Sequence, residues 1–409
     1  MNPKQPNRFH QAMITLAVPA LVLTCLVPTG VARSNADDIG ATGDIMRGWR
    51  VFREKQCTTC HAVWDQGGHI GPDLGRTRTG RLSPAKLAGT MWNHIPKMLS
   101  RMKATGHAPP ALTRDDMADL FALLFFVRSL DEPGDPARGR ALLQSRGCAS
   151  CHSVDTSDGG IGPDLAQWGS YANPIIWSQL MWEHAPVMDA AMKQNGVSWP
   201  KLEGSDLVHI VAYVRSVGTS AEKVYLHPGS VTRGQTLFTQ KGCAQCHPGA
   251  GPDLSTADLP ISLGALASRM WNHSPDMAKL MSERGVERQP IAAQELADIL
   301  AYVLALRNRD KKGDGARGEQ VFTQKGCSSC HERTEVAHAV GPAATQLGHD
   351  ATPVDMATAL WNHGETMLQR MSEAGMTWPV FDDGEMVDLL TFLRSLETSP
   401  ETSAPGESK

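Results

Sequence analysis

The chain has 409 residues, a formal net charge of −4 and only 6% aromatic residues. That length exceeds one compact domain and suits three or four small ones, yet so few aromatic rings are lean filling for several separate cores. No long basic run occurs, which makes nucleic acid a poor partner.

Residues 1–36 read as an export segment. Lys4 and Arg8 open it, an apolar run from Ala12 to Val27 follows, and Ser34-Asn35-Ala36 offers a small-residue cleavage site, with Gly30-Val31-Ala32 as a second. The run is sixteen residues long and interrupted by Pro19, short of the roughly 20 a spanning helix needs. Cleavage after export, giving a periplasmic or otherwise exported protein, is therefore expected ahead of an uncleaved membrane anchor. Cys25 lacks the small preceding residue of a lipidation signal and reads as a passenger. Cleavage removes Lys4, Arg8 and Arg33 but no acid, so the charge becomes −7.

The remainder repeats one unit four times. Cys-x-x-Cys-His occurs at Cys57-Cys60-His61, Cys148-Cys151-His152, Cys243-Cys246-His247 and Cys327-Cys330-His331, with the histidines 91, 95 and 84 residues apart. A short helix leads into each string, as in Ala137-Arg138-Gly139-Arg140 and Ala316-Arg317-Gly318-Glu319. A loop follows with Gly71-Pro72, Gly162-Pro163, Gly251-Pro252 or Gly341-Pro342. Trp-x-His comes next, at Trp92/His94, Trp182/His184, Trp271/His273 and Trp361/His363. Each unit closes on a helix whose apolar residues fall at i, i+3, i+4 and i+7: Met117, Leu120, Phe121 and Leu124; Leu207, Ile210, Val211 and Val214; Leu296, Ile299, Leu300 and Val303; Met386, Leu389, Leu390 and Leu393. No long alternating pattern is present, so the fold is predicted to be all-α. Turn-rich stretches divide the chain into domains at 39–132, 133–226, 227–311 and 312–398, ahead of a disordered tail at 399–409.

Four uses compete for two thiols spaced this way. Zinc would need two ligand pairs brought together, but these pairs lie about ninety residues apart, each in its own helical unit. A thioredoxin-like site would need a βαβ context. Disulfides suit an exported protein but give no reason for the histidine that follows every second cysteine. Haem attachment accounts for all three residues: two thiols bond the vinyl groups and the next imidazole lies under the iron. A covalently held porphyrin would also supply the flat apolar surface that the aromatic count lacks.

On these strings, the following Gly-Pro and the closing helix, residues 39–398 resemble the class I c-type cytochromes, repeated four times. The resemblance implies four small helical bundles, each around a covalent haem c. It makes His61, His152, His247 and His331 the proximal iron ligands. The carbonyls of Pro72, Pro163, Pro252 and Pro342 then receive the other ring N–H.

That family usually supplies a Met from a loop before the last helix. The corresponding places hold Ala108-Pro109, Trp199-Pro200, Gln289-Pro290 and Trp378-Pro379, so the sixth ligand must come from elsewhere. Three sets recur: His94, His184, His273 and His363; Met98, Met188, Met277 and Met367; and Met102, Met192, Met281 and Met371. At i, i+4 and i+8 they share one helix stripe. The Pro-to-first-Met interval is 26, 25, 25 and 25 residues, although the third copy has lost six residues between His247 and Pro252. The first Met set is the first choice for the distal ligand and the second Met set the alternative. The histidines come third, with a hydrogen-bonding role in the distal pocket as their plainer reading. Pro96, Pro186 and Pro275 are placed to kink this helix, whereas the fourth copy has Glu365. His10, His69, His107, His209, His227, His338 and His349 do not recur in register and read as surface or loop.

Two protein ligands leave no vacant iron position, which suits electron transfer. The expected protein is a tetrahaem electron carrier with four low-spin haems and no catalytic residue. One alternative is a multihaem oxidoreductase or peroxidase with one five-coordinate haem, the fourth copy being first suspect because Ala343 replaces Asp73, Asp164 and Asp253. Another is a cytochrome subunit of a membrane respiratory or photosynthetic complex. The acidic charge predicts redox partner proteins with a basic docking face and association that weakens with salt.

Overall fold

The computed structural model describes residues 43–76, 80–154, 160–171, 173–218, 224–334, 340–348 and 351–396. The predicted export segment, the tail, Cys25, His10, His338 and His349 lie outside them. Among the described residues no helix is long and apolar enough to cross a membrane.

One set of elements recurs four times. Lead-in helices of ten residues span Ile45–Glu54, Pro136–Ser145, Val231–Gln240 and Gly315–Gln324. Long helices of 21 residues span Pro84–Ala104, Pro174–Gln194, Leu263–Glu283 and Pro353–Glu373. Closing helices span Arg114–Ser129, Asp206–Val217, Ala293–Asn308 and Glu385–Ser395. The all-α prediction holds apart from a two-residue hairpin, Ala62–Val63 with Gln66–Gly67, and an isolated bridge between Tyr171 and Val224. The three long helices with an internal proline, Pro96, Pro186 or Pro275, run on through it.

Lead-in and closing helices cross at close range in every repeat. Gly48, Gly139, Gly234 and Gly318 lie against the backbone oxygens of Asp119, His209, Asp298 and Asp388, where a Cβ would come within 2.1, 1.9, 1.9 and 2.0 Å. Only glycine fits there. Beside the crossing, Asp119, Asp298 and Asp388 are buried and accept the amides of Asp44, Ser230 and Asp314 at 2.6–2.7 Å. They also pair with Arg47, Arg233 and Arg317 at 2.9, 2.9 and 3.3 Å, as buried carboxylates must. In the second repeat His209 stands at that position, its Nδ1 accepting the Asp135 amide at 2.9 Å. His209 is thus a half-buried helix residue rather than the surface or loop histidine expected.

The repeats associate in two pairs. The long helix of repeat 1 packs on that of repeat 4, and repeat 2 on repeat 3. One apolar core runs through repeats 1 and 4. Two acids join repeats 1 and 3: Asp131, just after the closing helix of repeat 1, accepts the Gly264 amide at 2.7 Å, and Asp310, just after that of repeat 3, accepts that of Ala85 at 3.1 Å. Arg81 reinforces the join by donating to the carbonyls of Arg307 and Ser255.

Adding a methyl group at the helix crossing should force the backbones apart. Gly234→Ala is expected to destabilise the holoprotein by about 1–3 kcal/mol, read from denaturant unfolding. Across the 1–4 interface, Arg114 Nε bonds Asp355 Oδ1 at 2.6 Å. Burial alone would raise the Asp355 pKa, but the Thr352 hydroxyl and amide together with Arg114 outweigh it and hold the group below its ordinary 3.8. The contribution is therefore complete above pH 3.8 and lost as pH falls through the lower folded value. Thermal melts below pH 4 should show a steeper loss for the native chain than for Asp355→Asn.

Candidate functional site

Two positions beyond the end of each lead-in helix stands a residue with left-handed backbone: Gln56 (φ 60°), Gly147 (82°), Gly242 (83°) and Gly326 (77°). The chain then enters one tight 3₁₀ turn that starts at the first cysteine: Cys57–Thr59, Cys148–Ser150, Cys243–Gln245 and Cys327–Ser329. The amides of His61, His152, His247 and His331 bond back to those cysteines' carbonyls at 2.9–3.0 Å. Two thiols and an imidazole are thereby fixed at one end of each repeat. None of the eight motif cysteines is bridged. Burial pushes the thiols of Cys57, Cys148, Cys243 and Cys327 up to about 11, opposite to the depressed thiol of a redox Cys-x-x-Cys.

The Gly-Pro that follows sets the imidazole. Nδ1 of His61, His152, His247 and His331 lies 3.0, 3.0, 2.9 and 3.0 Å from the carbonyls of Pro72, Pro163, Pro252 and Pro342. A carbonyl can only accept, so Nδ1 carries the hydrogen and Nε2 presents a lone pair. The glycine makes this approach feasible: a Cβ on Gly71, Gly162, Gly251 or Gly341 would lie 2.4, 2.5, 2.7 or 2.7 Å from the ring. Each glycine amide also bonds the second cysteine's carbonyl at 2.8–3.0 Å. Only the loop's two ends take part, which is why the third repeat keeps the arrangement across 5 residues where the others use 11.

The next residue is a turn cap. Asp73 accepts four amides, those of Trp64, Asp65, Gly75 and Arg76, and Asp164 and Asp253 accept those of Ala166 and Ser255. Burial opposes the Asp73 charge, but these four donors hold its pKa below the ordinary range. Ala343 therefore alters a turn on the cysteine side of its repeat rather than the opposite wall.

In the second repeat a mostly apolar cleft with about 1220 Å³ of atom-free space, part of it open to solvent, separates the two walls. Cys148, Cys151, His152 and Pro163 form one wall; His184, Met188 and Met192 face them from the long helix. All three distal candidate sets of this repeat thus share one cavity. A flat group bonded to both thiols and ligated by Nε2 of His152 fits these donors and this shape. Met98, Met188, Met277 and Met367 are half-buried, as are Met102, Met192, Met281 and Met371, whereas His94, His184, His273 and His363 are exposed. Met98, Met188 and Met367 also pack against the cores. His94, His184 and His273 donate Nδ1–H to the carbonyl four residues back, at 2.6, 2.8 and 2.8 Å.

In the second and third repeats the tryptophan two residues before the histidine packs into the paired repeat. Trp271 of repeat 3 lines the cleft of repeat 2, and Trp182 of repeat 2 packs against the core of repeat 3. Nothing within one repeat's sequence signals this exchange directly. Its trace was a Trp-Pro in the place of the expected Met-Pro.

Residues 45–130, 136–218 and 315–397 each match the sequence model of the cytochrome c family. The chain belongs to the cytochrome c family. No curated protein and no solved structure matches it. The third repeat lies outside the matched stretches but carries the same helices, thiol pair, imidazole and Gly-Pro. A chain with several such domains is a multihaem c-type cytochrome that transfers electrons.

Gly162→Ala should tilt the His152 ring and break its bond to Pro163, whereas Pro163→Ala keeps the carbonyl. Electron paramagnetic resonance of the oxidised cytochrome should show one altered haem signal in the first variant and none in the second.

Proposed function

We propose that the chain is an exported tetrahaem cytochrome that relays electrons between partner proteins. One haem c is bonded to Cys57 and Cys60, one to Cys148 and Cys151, one to Cys243 and Cys246, and one to Cys327 and Cys330. Bound haem supplies one-electron chemistry; the chain binds it, orients its ligands and keeps water from it. The observation that carries this reading is the fourfold recurrence of an imidazole whose Nδ1–H is held by a proline carbonyl.

Met98, Met188, Met277 and Met367 are the proposed distal ligands. They lie one turn beyond the exposed histidines, and three of them contact the cores that close the pockets. Each of these thioethers would hold the iron together with the imidazole of its repeat, and that pair would raise the potential relative to two imidazoles. The fourth repeat keeps His363, Met367 and Met371, and its Ala343 belongs to the turn on the cysteine side, so a carrier role is favoured over a peroxidase. After loss of residues 1–36 the charge of −7 favours redox partners that offer a basic face.

Mass spectrometry of the mature protein should give four haem increments. Reduced native protein should leave carbon monoxide unbound, while Met188→Ala should open one haem in four to it. Fewer than four haems, or a strong carbon monoxide shift in the native protein, would overturn the reading.

A further inference from the structure

The two long helices of a pair trade hydrogen bonds with the straps that precede the partner's closing helix. Trp92 Nε1 donates to Pro379 O at 2.7 Å, and Asn93 exchanges two bonds with the backbone of Phe381. Trp361 and Asn362 repeat the pattern on Pro110 and Leu112, and Trp271 and Asn272 repeat it on Pro200 and Leu202. Trp182 and Glu183 give a reduced version on Gln289 and Ile291. The matching strap positions are therefore Pro109-Pro110, Trp199-Pro200, Arg288-Gln289 and Trp378-Pro379. This register shifts repeats 1 and 3 by one residue from the sequence reading, which had aligned Pro109 and Pro290 with Pro200 and Pro379.

The proline inside the long helix gains a purpose here. Proline removes the N–H that would bond the carbonyl four residues back, so Pro96, Pro186 and Pro275 release the carbonyls of Trp92, Trp182 and Trp271. Each released oxygen is taken by the first strap residue of the paired repeat. Trp378 Nε1 bonds Trp92 O at 3.2 Å, Arg288 Nη2 bonds Trp182 O at 2.8 Å, and Trp199 Nε1 bonds Trp271 O at 3.2 Å. The donors also stack on the indoles they serve, with centroids 3.9 Å apart for Trp92–Trp378 and 4.1 Å for Trp199–Trp271, and the Arg288 guanidinium 3.6 Å over Trp182. In the fourth combination both halves of the device are missing together. Glu365 retains the N–H that a helix directs at Trp361 O, and its strap counterpart, Pro109, has no donor to offer. Side-chain size is matched as well, because a Cβ on Gly364 would meet Ile95 at 2.9 Å.

We propose that the long-helix residue at positions 96, 186, 275 and 365 and the strap residue at 378, 288, 199 and 109 form a pairing code that selects repeat 4 for repeat 1 and repeat 3 for repeat 2. A freed carbonyl is matched to a strap donor, and an occupied carbonyl to a strap proline. By choosing partners, the code determines which indole completes which pocket, and so which two pockets share a wall.

Two thermal-unfolding cycles on the holoprotein test it. Trp378→Phe removes the donor but keeps a ring, and should lower the Tm by roughly 2–6 °C. In a Pro96→Ala background, where residue 96 now supplies the bond to Trp92 O, the same change should have a clearly smaller effect. In the second cycle, Glu365→Pro should lower the Tm, and adding Pro109→Trp should recover a good part of the loss. Additive effects in the first cycle, or no recovery in the second, would overturn the proposal. Soret circular dichroism supplies a second readout, since loosened pairs should lose any couplet arising from neighbouring haems.

Discussion

A carbonyl oxygen that accepts from Nδ1 decides which nitrogen of an imidazole keeps its lone pair, and in this cytochrome that choice is made by a proline in every repeat. The rest of the cysteine-side wall follows from it. The carbonyl must come within hydrogen-bond reach, so the residue before the proline passes the ring with no Cβ. The glycine amide then ties to the second cysteine, which fixes that thiol relative to the ring. Loop length between these points is free, and the third repeat uses that freedom.

The pocket is not finished by its own repeat. On a helix at 100° per residue, His94 lies roughly 200° and Met98 roughly 240° from Trp92, while Pro96 lies only about 40° away. The long helix is thus a partition with two working faces. One carries the ligand candidates for its own haem, and the other carries the indole and the proline that address the paired repeat. Both faces belong to one helix, so the residues that hold a pair together and the ligand candidates share one backbone.

Much of this was legible in the sequence because it is local. The thiol spacing, the adjacent histidine, the Gly-Pro and the 3.6-residue stripe of the closing helices each depend on residues close together in the chain. His209 was legible too, in principle: it stands two residues after Leu207, as Asp119, Asp298 and Asp388 stand after Met117, Leu296 and Met386. Its chemistry differs from theirs, and comparing histidines only with histidines hid the register. The pairing was out of reach for another reason. Trp92 and Pro379 are separated by 287 residues, and no periodicity within one repeat records which other repeat its strap will meet.

The scarcity of aromatic residues takes on a different meaning once the pairs are seen. Six of the ten tryptophans, Trp92, Trp182, Trp199, Trp271, Trp361 and Trp378, stand at the two interfaces, each with its indole N–H satisfied by a backbone carbonyl of the paired repeat. A haem supplies most of the flat apolar bulk of a small cytochrome domain, so the chain's largest side chains are released from that task. Placed between domains, they bury wide apolar area and one polar hydrogen at once. That combination gives an interface both affinity and register. The four small domains thereby become two pairs, and in the second repeat the partner's Trp271 closes the side of the cleft that its own repeat leaves open.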